Sequence, residues 1–203
     1  MTRALVFGIV ATALILFSQL YEIRSIFVVD PKTGQKTRPS RSTFWIWAVV
    51  QGIMTASYIA TGEIFPAGVG IAYTLTILVI AILSLRYGFG KWGRLDTMCT
   101  FGAVVTMMLW FLFRDPILVL IASIITDAFG CIPTIKKVWQ DPTSESRIAW
   151  AWTVVACVVN FGAVEVWGIA SVLYLSYLLI ANSIITYGIW FVKPQKTALV
   201  IAT

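Results

Sequence analysis

The sequence has no histidine, and only 12% of its 203 residues are charged. Lack of an imidazole removes the usual proton shuttle and the commonest metal ligand from the chain's chemistry. The shortage of charge excludes more. A soluble domain of this size needs a charged surface, and a composition 59% hydrophobic does not supply one. Cysteine is also scarce. Cys99, Cys131 and Cys157 stand singly in apolar stretches with no CxxC spacing, so neither a disulfide framework nor a zinc site is indicated. They are expected to pack as small apolar side chains. Paired carboxylates, and a serine or cysteine beside a base, are not found either. An enzyme is therefore not expected, and no cofactor or metal is called for.

The net charge of +6 does not indicate nucleic acid, because the basic residues sit at the ends of apolar segments rather than along one stripe. With a mean hydropathy of +0.88, the expected class is an all-α integral membrane protein whose partner is the lipid bilayer. Seven stretches are long enough to cross hydrocarbon: 4–28, 43–61, 66–86, 97–113, 116–138, 148–165 and 168–191. The first resembles a signal peptide in that Arg3 precedes an apolar run. That run is longer than a signal h-region, and no small-x-small cleavage site ends it.

Charge alternates between the connections. Arg24, Lys32, Lys36, Arg38 and Arg41 surround the first, Arg86, Lys91 and Arg94 the third, and Lys136, Lys137 and Arg147 the fifth, while Lys193 and Lys196 follow the last stretch. On the other side only Arg3 and Arg114 are basic. The positive-inside rule then puts the N-terminus outside and the C-terminus in the cytoplasm, with the plasma (inner) membrane as the expected location. Trp45, Trp47, Trp92, Trp139, Trp150, Trp152 and Trp190 are expected to band the inner interface, with Trp110 and Trp167 near the outer one.

The chain also repeats itself. The run 75–88, LTILVIAILSLRYG, returns at 175–188 as LSYLLIANSIITYG, aligning Leu75/Leu175, Leu78/Leu178, Ile80/Ile180, Ala81/Ala181, Tyr87/Tyr187 and Gly88/Gly188. Trp45, Trp47, Val49 and Val50 fall on Trp150, Trp152, Val154 and Val155, and Phe17, Ile23 and Arg24 on Phe129, Ile135 and Lys136. Asp30-Pro31 and Asp141-Pro142 open the loops that follow. Three crossings per copy would invert the second copy, and the unmatched fourth segment restores its direction. The expected fold is seven transmembrane helices as two parallel three-helix bundles, 1–90 and 116–203, joined by a linker helix in 91–115.

On these residues the chain resembles the PQ-loop/SWEET superfamily. Pro133-Thr134-Ile135-Lys136-Lys137, followed by Asp141-Pro142-Thr143-Ser144-Glu145-Ser146, is similar to the PQ motif, with Thr134 where the family has Gln. In the first copy the motif positions hold Tyr21 and Glu22. The resemblance implies a 3+1+3 fold with the N-terminus outside, and a transporter whose motif prolines are hinges for alternating access. Pro133 then takes the hinge role, although a proline that removes a backbone bond near a helix end also simply bends it.

Polar groups inside such helices should face a cavity or another helix. Ser123, Asp127, Gly130 and Thr134 share one helical stripe, and Asp127 is the acid placed near mid-membrane. It can carry a proton during transport, or serve as a structural acid held by hydroxyls. Asn182, where the repeat partner is Ile82, and Asn160 can both donate and accept. The resemblance gives Asn182 the solute-binding asparagine role, Asn160 and its counterpart Thr55 the small polar role, and Tyr58 the aromatic one. Gln51, Tyr73 and Thr74 extend the lining. The same amides can instead stitch helices together.

The expected function is a transporter for a small polar solute such as a sugar or amino acid, facilitated or proton-coupled. A non-transporting membrane receptor or scaffold with a SWEET-like fold is the alternative. Half-size relatives implied by the resemblance form dimers. This chain holds both halves, so a homo-oligomer is possible but not required. A retinal protein is excluded, because Lys193 and Lys196 lie beyond the last stretch rather than midway along it.

Overall fold

A computed structural model describes residues 2–60, 64–112, 116–164 and 167–193. Among these, all regular structure is helical: α1 (Arg3–Phe27), α2 (Arg41–Ala60), α3 (Ile64–Tyr87), α4 (Arg94–Leu112), α5 (Pro116–Gln140), α6 (Arg147–Asn160) and α7 (Ile169–Phe191). The seven apolar stretches thus became seven helices. The sixth ends early, at Asn160, and tightens into a 3-10 turn over Phe161–Ala163. There Gly162 lies directly against the ring of Phe7, an approach that leaves no room for a Cβ.

Local chemistry sets the ends. Thr2 caps α1 by accepting from the Leu5 amide, and Ser146 caps α6 by accepting from the Ala149 amide, each at 3.3 Å. Both Asp-Pro pairs start turns in which the aspartate accepts from the backbone two residues on, Lys32 at 2.8 Å and Thr143 at 3.1 Å. Gly34 completes the first turn with φ 66°, a left-handed conformation that glycine adopts without a Cβ clash.

Packing follows the repeat. α3 lies against both α1 and α2, and α7 against both α5 and α6. Across the halves α1 packs on α6 and α2 on α5, while α4 lies mainly on α5. Exchanging α1 with α5, α2 with α6 and α3 with α7 leaves the scheme of these six helices unchanged, and only α4, which lies on α5 and not on α1, breaks it. Individual contacts obey the same exchange. Phe27 at the end of α1 meets Tyr87 of α3 edge-on at 5.5 Å, and Trp139 of α5 meets Tyr187 of α7 at 6.4 Å. Their neighbours Ile26 and Val138 are both fully buried, each in its own half's cluster with α3 or α7 residues. The first backbone bonds of α2 and α6 run from Phe44 to Ser40 and from Trp150 to Ser146. These caps set the second-helix register one residue away from the one suggested by the two Trp-x-Trp runs.

Trp47 and Trp150 are not interface anchors. Their rings lie 6.4 Å apart in the interior, and Trp150 is only 6% exposed. Trp92, Trp139, Trp152, Trp167 and Trp190 do remain on the surface. Trp110's side chain is outside the described set.

The outer faces are apolar, with Leu5 and Ile9 on α1, Leu75 and Ile82 on α3, Met98 and Phe101 on α4, and Ile180 and Phe191 on α7 all exposed. Among the described residues, Arg3–Phe27 and Val172–Phe191 are long and apolar enough to cross a membrane. Ile71–Tyr87 and Arg147–Ala163 are apolar but shorter.

Candidate functional site

Asp127 sits near the middle of α5 and is 8% exposed. Its Oδ2 accepts from the Tyr177 hydroxyl of α7 at 2.7 Å and from the Cys131 thiol one turn along α5 at 3.5 Å. The thiol and the phenol also approach each other, at 3.7 Å. From the other half, Tyr73 of α3 brings its hydroxyl within electrostatic reach of Asp127, Cys131 and Cys157. Asn182 of α7 contacts Cys157 of α6 at 3.9 Å and donates to the Leu178 carbonyl of its own helix at 2.7 Å. Two polar groupings thus lie on the second half, Asp127 with Cys131 and Tyr177, and Asn182 with Cys157.

The expected stripe on α5 divides between two neighbours. Asp127 turns to α7, whereas Gly130 and Thr134 face α2. A Cβ on Gly130 would stand 2.7 Å from Trp47 Nε1, and the Thr134 hydroxyl bonds Thr43 Oγ1 at 2.9 Å. Ser123 is half-buried one turn before Asp127. Thr55 is buried away from Asn160. Its hydroxyl pairs with that of Thr74 at 2.9 Å, tying α2 to α3. Gln51 is half-buried on α2, and Asn160 half-buried at the end of α6. Tyr58's side chain lies outside the described set. Asp127 is thus joined to Tyr177 and Cys131 and Asn182 to Cys157, while Thr55 serves a bond between α2 and α3.

Cys131 corrects the expectation that the cysteines only fill apolar space. It donates to a carboxylate four residues earlier on the same helix, a spacing that places the two on one face, whereas the acid's shorter bond, from Tyr177, comes from another helix and carries no sequence signal. All three cysteines are free thiols.

A second polar region lies where α1, α3, α5 and α7 end and α2 and α6 begin. The two loops are clamped together. The Arg38 amide donates to the Ser144 carbonyl and the Lys137 ammonium to the Arg38 carbonyl, each at 2.7 Å, and Arg38 is ion-paired with Asp141. Lys137 is also ion-paired with Glu145, both nearly inaccessible, and Trp150 Nε1 donates to the second Glu145 oxygen at 2.9 Å. Beside the clamp is a cavity of about 280 Å³ lined by Arg41, Lys91, Arg94, Lys136 and Lys137, with Pro133 in its wall. Pro133 lies inside a helix that continues to Gln140, so it removes one backbone bond without ending α5.

A carboxylate with a phenol and a thiol as donors can hold a proton or receive a hydroxyl or amine of a solute. The described residues contain no group of three metal-ligating side chains. No protein-family model, curated protein or solved structure matches this chain.

Proposed function

We propose that this chain is an integral membrane transporter of SWEET-like architecture that moves a small polar solute between two like-oriented three-helix bundles. The observation that carries this reading is the exchange-symmetric packing of the six bundle helices, in which each half places its third helix against its first two and meets the other mainly through α1 with α6 and α2 with α5. Such a junction can rock about its centre, and the buried Asp127 with its Tyr177 and Cys131 donors supports a polar solute site on the second half. The apolar outer faces suit lipid.

With the N-terminus outside, the clamp of Arg38, Asp141, Lys137 and Glu145 lies at the cytoplasmic end and is closed. The described conformation is then shut on the inside. The solute would bind through hydroxyl or amino groups facing a carboxylate, a phenol and an amide, which fits a sugar or an amino acid. Proteoliposome uptake across sugars, amino acids and vitamin precursors tests the reading. Flux that vanishes in Asp127→Asn while the protein stays folded supports it, and absence of flux for every solute contradicts it.

One observation favours a non-transporting receptor or scaffold instead: Asp127 and Asn182 already have partners within the protein. In that reading the polar cluster is helix-to-helix bonding, and Asp127→Asn changes stability alone.

A further inference from the structure

Glu22 occupies the last turns of α1 and is 4% exposed, and neither of its oxygens has a hydrogen-bond donor. Its carboxyl group faces that of Glu145 and senses the charge of Lys137. Gln19, one turn earlier and 8% exposed, likewise has a side-chain carbonyl oxygen without a donor. Three buried acceptor oxygens on one side of α1 therefore lack a hydrogen.

The surroundings do not supply it. Lys137 donates to Glu145 and to the Arg38 carbonyl, and Trp150 donates to Glu145. Arg38 is engaged by Asp141 from the adjoining turn. On α3 the nearest cation, Arg86, is exposed and lies over the ring of Tyr87. Arg24 of α1 lies over the Tyr21 ring and Arg147 of α6 over the Trp190 ring, so Lys137 is the cation that acts on Glu22, and it is already shared with Glu145. A buried carboxylate with neither cation nor donor is costly, and taking up a proton is the usual remedy. Two facing carboxyl groups form a hydrogen bond only if one of them carries that proton.

We propose that Glu22 and Glu145 together bind one proton, which closes the charge balance of the clamp joining the two halves. The site takes Glu22 from α1, Glu145 from the turn before α6 and Lys137 from α5, so it is complete only when the halves are together at this end. It is separate from the Asp127 cluster and does not require that the chain transport anything. Lys137 belongs both to the site and to the lining of the cavity beside it.

Infrared spectra of the full-length chain in lipid vesicles, recorded between about pH 5 and pH 9, test the proposal. The Asp127→Asn background removes the one further buried acid among the described residues. A protonated-carboxyl band is expected there, shifting in deuterated water, moving with carbon-13 glutamate labelling, and lost in Glu22→Gln. The isotope shift needs no substitution at Glu22, and in a Glu63→Gln, Glu165→Gln background it can arise only from Glu22 or Glu145, so it decides the matter even where Glu22→Gln fails to fold. A spectrum without a labelled protonated-carboxyl band at any pH overturns the proposal and points to a bound cation or water in its place. A band that survives Glu22→Gln overturns it as well.

Discussion

Gly130 offers a quantitative probe of the junction between α2 and α5. An added Cβ would lie 2.7 Å from Trp47 Nε1, 2.9 Å from its Cδ1 and 3.3 Å from Ile46 Cγ2. The indole cannot easily turn away, because Phe44 holds it edge-on at 5.6 Å and Trp150 lies at 6.4 Å. Gly8, within α1, is the matched control, since its Cβ would meet only Ala163 at an ordinary 3.8 Å. Both alanines gain the same helix propensity, about 1 kcal/mol. The difference between the variants therefore isolates the clash, about 1–3 kcal/mol for overpacking. For a chain of this size that separates the melting midpoints by about 2–12 °C, Gly130→Ala being the lower. Scanning fluorimetry of the detergent-purified protein reads it directly. Trp47→Phe should restore much of the loss in the Gly130→Ala background, because the indole nitrogen has no hydrogen bond to forfeit. Equal midpoints for the two alanine variants would refute the packing argument.

Other substitutions separate buried from exposed polar contacts by the same assay. Lys137→Met strands a buried Glu145 and should cost about 3–5 kcal/mol, with Glu145→Gln recovering part of it. Arg38→Ala breaks a pair that is partly exposed, at 42% and 25%, so its effect should stay under about 1 kcal/mol. Tyr177→Phe removes the shorter of Asp127's two bonds and is expected to cost about 1–3 kcal/mol. Ser18→Ala deletes the bonds from α1 to the Ala149 carbonyl and Thr153, and about 0.6 kcal/mol is expected for such a contact between helices.

Helix number and approximate bounds were legible because apolar runs separated by basic, glycine- and proline-bearing loops leave few other readings. Asp127 was legible too, as an acid in an otherwise apolar run. Its partners were not. Tyr177 and Tyr73 read as ordinary aromatic residues until the fold brings α3, α5 and α7 together. Glu22 stood in the motif position of the first copy, but its lack of a donor depends on Lys137 and Trp150 being committed to Glu145. Trp47 and Trp150 looked like interface anchors because an indole suits both a membrane boundary and a protein interior. One residue of slip between α2 and α6 was hidden for a related reason: matched tryptophans drew the alignment, whereas Ser40 and Ser146 set the helix starts.

The central claim is that the two halves rock against each other and must part at the clamped end to release solute. Cysteines replacing Arg38 and Ser144, whose backbones are bonded at 2.7 Å, place one thiol on each side of the clamp for oxidative cross-linking, whose completeness is read by a gel shift. Uptake of the solute found in the screen, measured in proteoliposomes before and after oxidation, tests the claim most directly. The account predicts that cross-linking stops flux and that a reductant restores it. Full cross-linking with undiminished flux would contradict it.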